Sequence, residues 1–112
     1  MNYYYNPDRW MIIKIGGDIP HYKLFGSWIG GYVQGDSWRM NSGIVDVIEE
    51  DDYYGFIGKS GTTYACYKDN YGATSYGLQV AQEYHKKLGD NFVILDEVDA
   101  GLVIEKGDWI IS

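Results

Sequence analysis

At 112 residues the chain is long enough for one domain with its own core, and no linker or internal repeat divides it. Its net charge of −7 is spread along both halves, with eight acids against four bases in residues 1–56 and eight against five in residues 57–112, which opposes nucleic-acid binding because that needs a basic footprint. A single cysteine excludes an internal disulfide and fits a reducing, cytoplasmic setting; residues 1–6 lack the basic start and apolar core of a signal peptide, and no apolar run approaches the roughly 20 residues of a membrane helix.

The chain opens on Tyr3-Tyr4-Tyr5-Asn6-Pro7-Asp8, read as an irregular arm able to pack through its rings. Trp10 to Ile15 has five apolar residues in six and predicts a buried strand. Gly16-Gly17-Asp18 and Pro20 then make a turn. Tyr22 to Val33 predicts a second strand, with Tyr22, Leu24 and Trp28 on one face and Phe25 and Ile29 on the other. Gly26, Gly30 and Gly31 mark a bulge or bend within it. Gln34 to Gly43 reads as a polar connection carrying Trp38 and Arg39. Three short strands follow at Ile44–Glu49, Tyr53–Gly58 and Thr63–Lys68. Their connections have hairpin length, which predicts an antiparallel meander.

The period then changes. Tyr76, Gly77, Val80, Ala81, Tyr84 and Leu88 share one helical stripe, with Thr74 or Ser75 as the cap, Lys86 and Lys87 at the negative end of the dipole and Gly89 as the stop. Short apolar runs at Phe92–Leu95, Leu102–Ile104 and Trp109–Ile111 read as one or two further strands. This order predicts an α+β domain: a strongly twisted antiparallel sheet of about five to six strands with one helix, about 75–88, on one face. The alternative is a small β-barrel with a helix at its mouth.

Motifs that carry chemistry are scarce, and no catalytic residue, metal ligand or cofactor is assigned. Gly58-Lys59-Ser60 imitates the end of a phosphate-binding loop, but Tyr53 stands where the first glycine belongs and the flanks read as strands. His21, His85 and Cys66 match no zinc spacing, and Cys66 reads as a small buried residue in a strand. Val98 breaks the calcium-loop alternation of Asp96-Glu97-Val98-Asp99, which reads as a solvated turn. Glu49-Glu50-Asp51-Asp52 reads as a hydrated hairpin tip.

The aromatic load is the strongest signal. With 12 Tyr, 4 Trp and 3 Phe, the chain holds more rings than a domain this size hides, and exposed Tyr, Trp and Arg dominate interface energetics. Trp38 and Arg39 are therefore the first candidate anchors for a partner, and Tyr53, Tyr54, Tyr67 and Tyr71 a second cluster. Arg39, Lys59 and Lys68 are the candidates for a local basic pocket.

Gly30-Gly31-Tyr32 running on to Asp36–Ile44, Tyr64–Gly72, and Tyr5-Asn6-Pro7-Asp8-Arg9-Trp10 together resemble small uncharacterised proteins encoded by tailed bacteriophages, over roughly residues 5–72. The resemblance implies a phage accessory protein made in a bacterial cytoplasm and carries no functional residue with it. The leading expectation is a non-enzymatic protein that binds a host or phage protein and inhibits a host function. The alternatives are a binder that sequesters a nucleotide, a small hydrolase using two carboxylates, and a self-associating virion component. Neither a membrane nor direct nucleic-acid binding is expected.

Overall fold

Side chains alternate along a strand, so the run Trp10-Met11-Ile12-Ile13 decides the architecture. Trp10 and Ile12 face one way and Met11 and Ile13 the other, and all four are buried. A strand apolar on both faces needs a layer on each side. The protein, described here by a computed structural model over residues 4–30 and 35–111, supplies both layers.

The strands in chain order are β1 (Tyr4–Tyr5), β2 (Arg9–Ile15), β3 (His21–Trp28), β4 (Ser37–Met40), β5 (Ile44–Glu49), β6 (Tyr53–Gly58), β7 (Thr63–Tyr67) and β8 (Phe92–Ile94). The helices are α1 (Ser75–Leu88) and α2 (Glu97–Lys106). Strands form two open four-stranded sheets, β1-β7-β6-β5 and β4-β3-β2-β8. Every pairing is antiparallel except β1 with β7, which is parallel. The fold is α+β, and neither sheet closes into a barrel.

Two cores follow from β2's two faces. Trp10, Ile12 and Leu24 of the second sheet meet Ile44, Phe56, Tyr64 and Cys66 of the first, with Ala100 of α2 and Trp109 joining them. On the other side Met11, Ile13, Phe25 and Phe92 pack against Ala81 of α1. The layers are therefore first sheet, second sheet, α1. Thr74 caps α1 by accepting from the amide of Gly77, and Gly89 ends it at φ 57°. The meander at β5, β6 and β7 matches the expected bounds to within one residue.

Several expectations need correction. The strands divide into two sheets rather than one, because β2 and β3 are apolar on both faces and one sheet with one helix leaves a face bare. Residues 37–40 are an edge strand rather than a polar connection: Ser37-Trp38-Arg39-Met40 alternates, and Trp38 and Met40 pack on the α1 side. Residues 102–104 are helical. Asp96 accepts from the amide of Asp99, acids fill the first turn, and Ala100, Val103 and Ile104 bury one stripe. The acidic run is thus a helix start rather than a turn. Tyr4 and Tyr5 are paired to β7 instead of belonging to an irregular arm. Finally, β3 carries no bulge. Gly26 stays in register, and a Cβ there would lie 2.9 Å from Pro7 Cβ, so it serves close approach. The register shift lies in β5, between Ile44 and Asp46. Tyr3 and residues 31–34 fall outside the described residues. Residues 109–111 form only one isolated bridge, from Ile110 to His21.

Candidate functional site

Pairing and register place the expected anchors. Trp38 and Arg39 are neighbours on β4, so they face opposite ways. Trp38 stacks on Phe25 at 5.2 Å with planes 3° apart and meets Tyr84 edge-on at 5.8 Å. It is part of the core beneath α1, with one edge open to a shallow groove beside Tyr76 and Val80. Arg39 points to the other side, its guanidinium 4.6 Å from the centre of the Tyr5 ring. The two do not form a common anchor.

The tyrosine cluster also separates. Tyr54 and Tyr71 turn inward around Trp10, at 6.0 and 4.8 Å from its ring. The Tyr71 hydroxyl accepts from the amide of Ile12 and donates to the carbonyl of Leu95. Burial drives its phenol well above the ordinary value, against the opposing pull of the Ile12 hydrogen bond. Lys68 lies over the Tyr54 ring and is held by Glu49 at 2.8 Å.

Tyr53 and Tyr67 turn outward. They are cross-strand partners, edge-on at 6.2 Å. Because Tyr54, Phe56, Tyr64 and Cys66 face the core, the alternate residues Gly55, Ile57, Thr63 and Ala65 share the outer face with them. Register adds Ile48 beside Gly55, and Tyr4 beside Thr63. The result is a shallow trough whose floor, Gly55 and Ala65, is buried beneath its walls of Tyr4, Ile48, Tyr53 and Tyr67. Tyr4 is 66 % exposed, Ile48 51 % and Tyr67 45 %. Desolvation by the surrounding protein raises the Tyr53 phenol, and neighbouring Tyr4, Glu50 and Tyr67 add to the shift. Both helices serve the two cores, so among the described residues neither helix covers this face. The acids of the β5–β6 turn stand at its end.

A second feature lies at the rim between the two sheets, a cleft of about 410 Å³ lined by Lys23, Arg39, Asn41, Ser42, Ser60 and Thr62 among others. Of the three bases expected to make a basic pocket, only Arg39 lines this cleft. Lys59 is exposed on the β6–β7 turn and Lys68 is paired with Glu49. Lys23 takes their place. Sequence reading missed it because β3 and the end of β4 meet only through long-range pairing.

Other chemistry finds no support in the geometry. All 16 Asp and Glu residues are exposed, whereas a general acid is made by burying a carboxyl. Among the described residues no group of three or more His, Cys, Asp or Glu gathers around a metal position. Cys66 is fully buried, and burial pushes its thiol far up. His85 Nδ1 lies 2.6 Å from the carbonyl of Phe92 and tethers α1 to β8. No described helix is long and apolar enough to cross a membrane. No family model matches the chain, and no curated protein or solved structure matches it either.

Proposed function

We propose that this chain is a non-enzymatic binding protein that docks another protein on the outer face of its first sheet. The carrying observation is the tyrosine-rich outer face, where Tyr4, Ile48 and Tyr67 are exposed beside a half-buried Tyr53, flanked by acids. Tyrosine suits this use, since its ring supplies large contact area at low entropic cost while its hydroxyl stays wet in the free protein. Acids at one end favour a partner with a basic rim and a salt-sensitive association rate. The resemblance of residues 5–72 to phage proteins supports a phage accessory role, with a host or phage protein as the partner.

The test uses the double variant Tyr53→Ser/Tyr67→Ser. Both residues lie on the surface, so the variant keeps the wild-type fold by circular dichroism. The immobilised wild-type chain is expected to retain a specific protein from a bacterial lysate at low salt and to lose it as salt rises, while the variant retains none. If the face instead pairs two copies, light scattering shows a dimer that the double variant converts to monomer. Equal retention by both proteins, or retention by neither with both monomeric, overturns the proposal.

A further inference from the structure

The rim cleft carries an inference independent of the tyrosine face. It begins with Asn41, which is 6 % exposed. Its Oδ1 accepts from the amides of Leu24 at 2.9 Å and Gly43 at 3.2 Å. Those two donors fix which end of the side chain is oxygen. The other end, Nδ2, is therefore a donor, and it is buried with no partner among the described residues. Buried donors are almost always satisfied, so an orphan at the wall of a cleft marks a place for an acceptor.

The neighbouring groups match that acceptor. The amide of Ser60 donates to Ser42 Oγ at 3.0 Å, Ser42 Oγ donates to Ser60 Oγ at 3.3 Å, and Ser60 Oγ lies 3.4 Å from Thr62 Oγ1. This ties three hydroxyls into one row along the cleft. Gly58 keeps the corner open: a Cβ there would stand 3.2 Å from Asn41 Nδ2 and 3.5 Å from Ser42 Oγ. Two cationic residues, Lys23 and Arg39, also line the cleft, and no Asp or Glu does, in a chain of net charge −7. Neither cation forms an ion pair among the described residues. The Arg39 guanidinium lies over the Tyr5 ring at 4.6 Å, a cation–π contact that uses none of its N–H donors.

An amide donor, one free hydroxyl donor and two cations converge from different sides of the cleft, which suits a compact anion with three or more acceptor oxygens better than the two coplanar oxygens of a carboxylate. The Tyr5 ring is covered by Arg39 and approached by Tyr64 at 5.1 Å, so it offers no open face for a base. We propose that this cleft binds the phosphate group of a small phosphate monoester through Arg39, Lys23, Asn41 and the one hydroxyl donor that the Ser42–Ser60–Thr62 row leaves free. Its volume accommodates a phosphate with a sugar-sized body attached.

The test titrates the whole protein with inorganic phosphate, a pentose phosphate and a nucleoside monophosphate, with sodium chloride at matched ionic strength as the control. The readout is the NMR resonances of the Asn41 side-chain amide and the Ser60 backbone amide. At least one of the two esters is expected to shift both saturably while chloride does not, and the tighter of the two identifies the ester, whereas saturation by inorganic phosphate alone overturns the monoester. Arg39→Gln, an exposed position, is expected to weaken that binding by about tenfold or more, the effect of one charge-assisted bidentate contact. Lys23→Gln gives a second measure if Arg39→Gln perturbs the fold, and Lys86→Gln on α1 binds as wild type. The proposal fails if none of the three compounds saturates, if chloride gives the same response, or if the Arg39 and Lys23 variants both bind as tightly as the wild type.

Discussion

The Tyr71 hydroxyl accepts a hydrogen bond from the amide of Ile12 at 3.1 Å. It also donates to the carbonyl of Leu95 at 2.8 Å, and Leu95 returns its own amide to the carbonyl of Ile12. One side chain thus closes the ladder between β2 and β8 where their pairing ends. Tyr71→Phe keeps the ring against Trp10 but strands a buried N–H and a C=O. The expected loss is about 2 kcal/mol or more, since each unsatisfied buried group costs roughly 1–3 kcal/mol. Urea unfolding measures it, and a loss below about 0.5 kcal/mol shows that water replaces the hydroxyl.

Trp38→Ala separates packing from recognition. The indole stacks on Phe25 and meets Tyr84, so its removal opens a cavity between β3 and α1. The expected destabilisation is about 3 kcal/mol, typical for deleting a large core side chain. The trough on the first sheet lies two layers away, so partner retention by the folded fraction is unchanged. A stable Trp38→Ala variant that loses its partner would return Trp38 to the role of an anchor.

These two residues also show what the sequence made legible. The meander was readable because β5, β6 and β7 are short apolar runs joined by turns of hairpin length, and α1 because its cap, stripe and terminal glycine agree. Strand β4 was hidden because Trp38 and Arg39 sit in a polar stretch, and only pairing with β3 makes them a strand. Helix α2 was hidden because Leu102-Val103-Ile104 is β-prone, while Asp96 and Gly107, its cap and stop, lie at the edges. Of the four tyrosines grouped as a second cluster, Tyr53 and Tyr67 are cross-strand partners, whereas Tyr54 and Tyr71 face the core, which alternation gives for Tyr54 once the strand's inner face is known. Of the rim cleft only Arg39 was legible. The cleft also needs Lys23, Asn41 and Ser60, and three separate segments supply them.

The same substitution has opposite signs in the two helices. Glycine to alanine inside an exposed helix position gains about 1 kcal/mol. At Gly101 of α2 nothing lies within 4 Å of a new Cβ, so Gly101→Ala is expected to stabilise by up to about that amount. At Gly77 of α1 the Cβ would stand 2.7 Å from Ser27 Cβ. Helix and strand must then separate, straining the Ser27 Oγ bond to the Thr74 amide and the Thr74 cap itself. Gly77→Ala is expected to destabilise by about 1–3 kcal/mol despite its better propensity. Melting temperatures moving in the same direction would refute this account of α1 packing.

High pH is expected to unfold the protein through its buried phenols and thiol. Burial pushes Tyr64 from 10.0 up to about 12, with Arg39 opposing the shift. Burial likewise raises Tyr71 and Cys66, whose ordinary values are 10.0 and 9.0. Each raised value means that the folded state holds its proton longer than the unfolded chain does. Below about pH 8 both states are protonated at these three groups, and their contribution to stability is complete. As pH rises from there to about 12 the unfolded chain releases protons first, so the free energy of unfolding falls. Tyr64 alone accounts for roughly 2–3 kcal/mol across that window, because each tenfold difference in proton affinity between the folded and unfolded states is worth about 1.4 kcal/mol. Urea midpoints are therefore expected to be flat from pH 7 to 8 and to drop steeply above pH 10. Tyr64→Phe keeps the ring and removes the ionisation, so its decline between pH 10 and 12 is expected to be shallower by about 2 kcal/mol. Parallel declines in the wild type and Tyr64→Phe would show that the Tyr64 hydroxyl is solvated, and that the inter-sheet core around it is open to water.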